Sequence, residues 1–267
     1  MKKYLAMFRI RFSNSLQYRV AALAGISTQF AWGFMELLAF SAFYRVNPAA
    51  FPMEFSEVVS YIWMQQAFLA LFMMWFFENE IISAISTGSI AYELVRPMDL
   101  YKRWFCQSAA NRLARTCLRC SPILIVAFIL PPPLGMSLPS DPANVFLFLL
   151  SATLSLGVVV AFSMLIYIST FYTFEPRGVR IVAAAAADFL AGASVPIPFF
   201  PEPFRSVAEL LPFAAMQNMP LRIYSGNIAG SQVLRGLLFQ LFWLLALYAA
   251  GRILMNRAVK KVVVQGG

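Results

Sequence analysis

The sequence predicts an all-α integral membrane protein with six transmembrane helices. It adds an N-terminal interfacial helix, a helical cytoplasmic loop and a re-entrant extracellular hairpin before the last span. Three observations carry this reading. The chain is 60% hydrophobic, 15% aromatic and only 12% charged, too apolar to cover a water-facing surface. Its apolar residues gather in long uncharged runs, and a helix needs roughly 20 such residues to cross about 30 Å of hydrocarbon. Its cations, finally, fall between alternate runs.

Residues 1–19 come first. Leu5, Phe8, Phe12 and Leu16 recur at three- and four-residue spacing, with Lys2, Lys3, Arg9 and Arg11 off the stripe. This suits a helix lying in the membrane interface, with its cations near anionic lipid headgroups. The other reading is a cytoplasmic extension of the first span. Arg9, Arg11 and Asn14 interrupt the apolar core that a secretory signal requires.

Predicted spans follow at Val20–Tyr44 and Val58–Phe77. The polar stretch Glu78–Lys102, ENEIISAISTGSIAYELVRPMDLYK, then separates them from a less clean third span. That span begins near Leu118, extends back through Ala114 and runs into Pro131-Pro132-Pro133. Three more cover Ala143–Tyr172, Val179–Phe199 and Ser231–Ile253. Between the last two lies FLAGASVPIPFFPEPFRSVAELLPFAAMQNMPLRIYSG, with prolines at 196, 198, 201, 203, 212 and 220. Proline breaks helices, yet the segment stays apolar enough for membrane depth. Broken helices are tolerated there when buried in protein or lining a cavity. Residues 196–230 therefore read as an extracellular re-entrant region; an ordinary outer loop is the alternative. No separate soluble domain is expected within 1–267.

The formal charge of +9 does not point to nucleic acid, because its distribution has another cause. With the N-terminus in the cytoplasm, residues 1–19 carry five Lys or Arg, 78–119 six, 173–180 two and 252–267 four. Only Arg45, Arg205, Arg222 and Arg235 of the 21 remain outside. This is the positive-inside pattern, and it places both termini in the cytoplasm.

Missing residue types limit the chemistry. There is no histidine, the commonest general base and metal ligand. No G-x-x-x-x-G-K-[ST] phosphate loop is present, so the chain has no ATPase site of that kind. Cys117 and Cys120 form C-x-x-C without a second ligand pair, and a closed zinc site needs four ligands. With Cys106 they read as small buried hydrophobes, without disulfides. No catalytic residue, metal site or cofactor is expected, and the chain is not expected to be an enzyme.

Two carboxylates lie within predicted spans, Glu36 in the first and Asp188 in the fifth. Such groups usually face a cavity, a partner helix or a conduction path. Glu36 reads equally as a path residue or a hydrogen-bonded packing contact. Asp188 follows the small run Ala183–Ala187, which lets helices approach closely.

Three blocks together resemble the permease subunits of bacterial type-2 ATP-binding-cassette exporters, in the branch with paired permeases and a separate ATPase. They are MKKYLAMFRIRFSNSLQYR, ISTGSIAYELVRPMD and the proline-rich segment above. With the six-span layout they cover most of the chain. The resemblance implies a cytoplasmic coupling helix within 78–99 that seats in the ATPase, with Ile85, Thr87, Gly88, Ile90, Glu93, Leu94, Arg96 and Pro97 as the facing element. It implies a second permease, identical or paralogous, ATP and Mg bound by the partner ATPase, and the bacterial inner membrane as location. Pro196, Pro198, Pro201 and Pro212 would shape an outer gate, with Glu36 and Asp188 along the path. The residues support a docking surface independently, since apolar Ile82, Ile85, Ile90 and Leu94 sit with Glu80, Glu93 and Arg96 at the rim. An amphipathic helix on the inner leaflet is the alternative. The competing function is a proton-coupled secondary transporter using Glu36 and Asp188, although the halves show no inverted repeat.

Overall fold

The computed structural model describes residues 2–47, 49, 51–139, 141–173 and 176–260, and every regular element among them is helical. Helix α1 (Lys2–Ser15) precedes the long α2 (Arg19–Val46). Then come α3 (Phe55–Ala67), α4 (Leu69–Phe72), α5 (Asn79–Ser86) and α6 (Ile90–Leu94). The long helices α7 (Leu100–Ile129) and α8 (Pro142–Ser169) lead into α9 (Pro176–Leu190). A 3-10 turn at Ile197–Phe199, α10 (Phe204–Leu210), α11 (Asn218–Ser225) and α12 (Ser231–Val259) complete the described chain.

Helices α8 and α12 are long and apolar enough to cross a membrane, by length and composition. At 1.5 Å per residue their 28 and 29 residues reach about 42 Å, beyond the hydrocarbon thickness. Asp141 starts α8 by accepting the Ala143 amide at 2.8 Å, and Pro142 fits the first turn, where no donor is needed. The two helices pack together, and the Ser151 hydroxyl donates to Gln240 at 2.8 Å in a buried seam.

Three predicted spans differ from the observed helices. The run Val58–Phe77 contains no proline or glycine, yet helix ends at Phe72 and residues 73–78 are irregular. Distant groups hold this break. Arg112, fully buried on α7, donates to the Met73 carbonyl at 2.7 Å and the Phe76 carbonyl at 2.8 Å. Asp188 of α9 accepts the Met74 amide at 3.1 Å, and the Tyr167 hydroxyl of α8 accepts the Glu78 amide at 2.8 Å. These bonds replace the intrahelical partners that a break removes. The expected Val179–Phe199 helix stops at Leu190, because Gly192 adopts φ +82° and turns the chain. A side chain there would be strained, and a Cβ would lie 3.0 Å from the Ile197 amide. The third long helix begins at Leu100, well before Ala114, capped by Asp99, which accepts the Lys102 amide at 2.9 Å.

The apolar core has two large parts and a small third one in the later segment, around Ile197, Phe200, Ala208 and Ala214. One large part surrounds Trp63 of α3, whose indole donates to the Leu134 carbonyl at 2.8 Å. The other surrounds Trp104 and Tyr167, where α7 and α8 meet α12 and the buried Ile81, Ile82 and Ile90 of the polar loop. That second core seats the loop.

Candidate functional site

Between α4 and α7 the chain forms two short helices, joined at Gly88, whose φ of +74° resets the helical phase. Thr87 caps α5 from its end, with its hydroxyl donating to the Ser83 carbonyl at 2.8 Å. After Gly88 the faces divide sharply. Ile90 is 1% exposed in the core, and Glu93 turns inward to bind the Arg103 guanidinium and to accept the Trp104 indole N–H at 2.7 Å. Outward stand Tyr92, Leu94 and Val95, at 77%, 37% and 83% exposure, with Arg96 and Pro97 beside them.

Of the eight residues predicted to face a partner, Thr87, Gly88, Leu94, Arg96 and Pro97 are exposed and Ile85 is half-buried. Ile90 and Glu93 instead anchor the loop from beneath, a correction to their placement on the facing side. Tyr92 and Val95 were not among the eight, because those came from the family resemblance, which does not fix the phase of α6 after the turn at Gly88.

The loop is tied to three long elements. Its α5 meets α1 through an Arg11–Glu80 ion pair at 2.8 Å, while Lys3 donates to the Pro97 carbonyl and Tyr4 accepts the Asp99 amide at 3.1 Å. Its end meets α12 through Arg252 and Asp99. Burial acts to raise the Asp99 pKa, but hydrogen bonds from Arg252 and the Lys102 amide outweigh it and hold it below the ordinary value. Burial pushes the Glu78 carboxyl up, against the nearby Arg115 charge and a 2.8 Å hydrogen bond from Asn111. Helix α1 itself lies along α7 with Phe8 and Phe12 stacked 6.1 Å apart. Leu5, expected on its apolar stripe, is 70% exposed.

On the other side, residues 196–230 form the 3-10 turn, α10, a series of turns and α11. Pro196, Pro198 and Pro212 are buried, and Pro201 is exposed. Neutral amides and a hydroxyl satisfy much of the broken backbone. Gln217 donates to the Gly192 carbonyl at 3.2 Å and to the Gln65 side chain at 3.1 Å, and Gln65 donates to Ala193 at 2.8 Å. Gln240 reaches the Ala215 carbonyl at 2.9 Å, and the Ser155 hydroxyl donates to the Met216 and Ala215 carbonyls. Each of these polar side chains is at most 3% exposed.

A family model described as ABC-2 family transporter protein matches residues 30–266. The chain belongs to that family. No curated protein matches it. As an ABC-2 transporter it is a membrane permease, a transmembrane component of an ABC transporter.

In this ABC-2 permease the two carboxylates predicted to lie within spans serve different elements. Glu36 of α2 accepts from Gln66 of α3 at 3.5 Å, whereas Asp188 caps the break after α4. No contact joins them among the described residues. The three cysteines are free; Cys117 is exposed and the other two are half-buried, so burial is not their common property. The residues that sequence reasoning missed are Arg112, Tyr167, Gln65, Gln217 and Gln240. Gln65, Tyr167 and Gln240 are polar groups inside apolar runs, which was the available signal; Arg112 sits among other cations and Gln217 in the proline-rich segment, where nothing singled them out.

Proposed function

We propose that this chain is the permease of an exporter driven by a separate ATPase, which binds the ATP and Mg. It spans the bacterial inner membrane six times, through α2, α3–α4, α7, α8, α9 and α12, with both termini cytoplasmic. A second permease, identical or paralogous, completes the path, and lipids surround it. Family membership supports the association with an ABC ATPase. The observation that carries the residue-level reading is the exposed apolar tip Tyr92, Leu94 and Val95, held rigid by the buried Glu93–Arg103 pair.

The mechanism follows from the ties of the loop. A groove on the ATPase grips the tip, which fits a docking surface of aromatic and aliphatic anchors with an Arg rim. Movement of the loop passes to α7 through Glu93–Arg103, to α12 through Asp99–Arg252 and to α1 through Glu80–Arg11. The break at residues 73–78 lets the loop tilt without dragging α3 as one rod, because Arg112 and Asp188 already carry its backbone bonds. At the outer side the buried hairpin opens when the long helices part.

Co-purification tests the docking. Leu94→Asp and Tyr92→Ala should each lower the amount of ATPase recovered with the permease by about 30-fold, as for hot spots of 2 kcal/mol. Thermal unfolding of the permease should stay unchanged, because both side chains are exposed. Undiminished recovery with both variants would remove this surface from the interface.

A further inference from the structure

Positive-inside topology leaves four cations for the outer side, and three of them converge. Arg205 of α10, Arg222 of α11 and Arg235 of α12 line one cavity of about 520 Å³ between the hairpin and the last span. Arg222 is fixed in place, donating to Asn227 at 2.8 Å and Glu209 at 3.2 Å. Arg205 pairs at 3.0 Å with Glu202, which lies outside the cavity wall, and both side chains are largely solvated. Arg235 has no hydrogen bond or ion pair among the described residues. Glu209 is the one carboxylate in the wall among the described residues, which leaves the lining with a positive excess.

A second observation narrows the ligand. Asn218 also lines this cavity, is 1% exposed, and its side-chain oxygen meets no donor. A buried acceptor left unpaired costs about 1–3 kcal/mol, so it calls for a donor from whatever occupies the space. Guanidinium forks match phosphate oxygens in pairs. An anion alone would satisfy the arginines and leave Asn218 unpaired. A phosphate ester carrying a hydroxyl satisfies both. Leu234 and Leu238 of α12, 60% and 57% exposed, lie outside the cavity lining on the same helix as Arg235 and offer an apolar surface suited to an acyl chain.

We propose that this cavity is an outer-face binding site for a hydroxylated phosphate ester, the chemistry shared by a phosphoglycerol lipid headgroup and a free polyol phosphate. The site lies where cargo would leave past the hairpin, or where an outer-leaflet lipid would steady the hairpin. Its position outside rests on the topology proposed above; its binding chemistry does not.

Native mass spectrometry of the purified full-length permease tests it. Dioleoyl phosphatidylglycerol should be retained about 10-fold more than dioleoyl phosphatidylcholine at equal concentration, since a charge-assisted hydrogen bond contributes about 1.5–3 kcal/mol. Arg235→Gln, which breaks no internal contact, should cut that excess severalfold, and Arg205→Gln with Arg235→Gln should erase it. Asn218→Ala should bring phosphatidylglycerol down to the level of phosphatidylmethanol, a phosphodiester of the same charge without a headgroup hydroxyl. Displacement by excess glycerol phosphate assigns the site to a soluble ester; persistence of the lipid assigns it to the headgroup. Retention of phosphatidylglycerol by the double variant at the wild-type level would overturn the proposal. Arg235→Gln should leave ATPase recovery unchanged, so failure here is distinct from failure of the docking surface.

Discussion

The loop at 78–99 and the hairpin at 196–230 solve one problem with opposite chemistry. Each is a broken helical segment preceded or divided by a glycine with positive φ, Gly88 in one and Gly192 before the other. The loop is fastened by ions: Glu93 to Arg103, Glu80 to Arg11, Asp99 to Arg252. The hairpin's interior is fastened by the neutral groups of Gln65, Gln217, Gln240 and Ser155. Water lowers the cost of the charges in Glu80–Arg11 and Asp99–Arg252, and Glu93 supplies the counter-charge that the buried Arg103 needs, whereas the hairpin's interior is closed by amides that both donate and accept. The difference separates a region that presents a surface from one that hides its backbone.

The sharpest break of that comparison is Glu93→Ala. It leaves the Arg103 guanidinium, with a side chain only 5% exposed, without its counter-charge, and the Trp104 indole without an acceptor. Removing one partner of a buried pair costs about 3–5 kcal/mol. Thermal unfolding in detergent should fall strongly, and ATPase recovery with it, although Glu93 does not face the partner. Unchanged unfolding would mean that the pair does not anchor the loop.

Much of this contrast was legible in the sequence, and the rest was not for identifiable reasons. The polar block after Phe77 and the prolines from Pro196 to Pro220 marked both regions, because composition alone excludes a continuous apolar helix there. The phase of the loop was not legible. The resemblance put Ile90 and Glu93 on the facing side, where the structure has Tyr92 and Val95, because a motif match does not fix which side of a short helix after Gly88 each residue takes. The break at Met73 was invisible locally, since Val58–Phe77 lacks any breaker. It depends on Arg112, Asp188 and Tyr167, which lie 39, 114 and 89 residues from the groups they hold. Asp188 was read as a packing contact or a path residue, and its role at the break was not legible because its partner is a backbone amide that no pattern announces.

Gln240→Leu sharpens the hairpin side. The substitution keeps the volume near that of the amide but strips the Ala215 carbonyl and the Ser151 hydroxyl of a partner. Leaving such groups buried and unpaired costs about 1–3 kcal/mol, less than the loss of a charge partner. The melting temperature should drop by about 2–12 °C, since 1 kcal/mol shifts a chain of this size by about 2–4 °C. ATPase recovery should not change. A loss of recovery as large as that of Glu93→Ala would abolish the distinction between the two regions.

The smallest effect expected is at Asp99, and it tests whether the loop's charges are as wet as the contrast requires. The Asp99 and Arg252 side chains are 34% and 30% exposed, so their pairing should contribute less than about 1 kcal/mol. Asparagine at position 99 can still cap α7, so Asp99→Asn isolates the charge from the cap. The folded-state pKa of Asp99 is depressed, and the sign of the pH effect follows. Stabilisation is present above the unfolded carboxylate value of about 4 and disappears as pH falls through the lower folded value. Wild-type and variant melting temperatures should therefore differ by a constant small amount from pH 8 to pH 5 and converge as pH falls through the depressed folded value. Added salt should shrink the difference at neutral pH, because solvated pairs are screened. A difference that survives both acid and salt would place this pair in a dry environment and make the two regions alike.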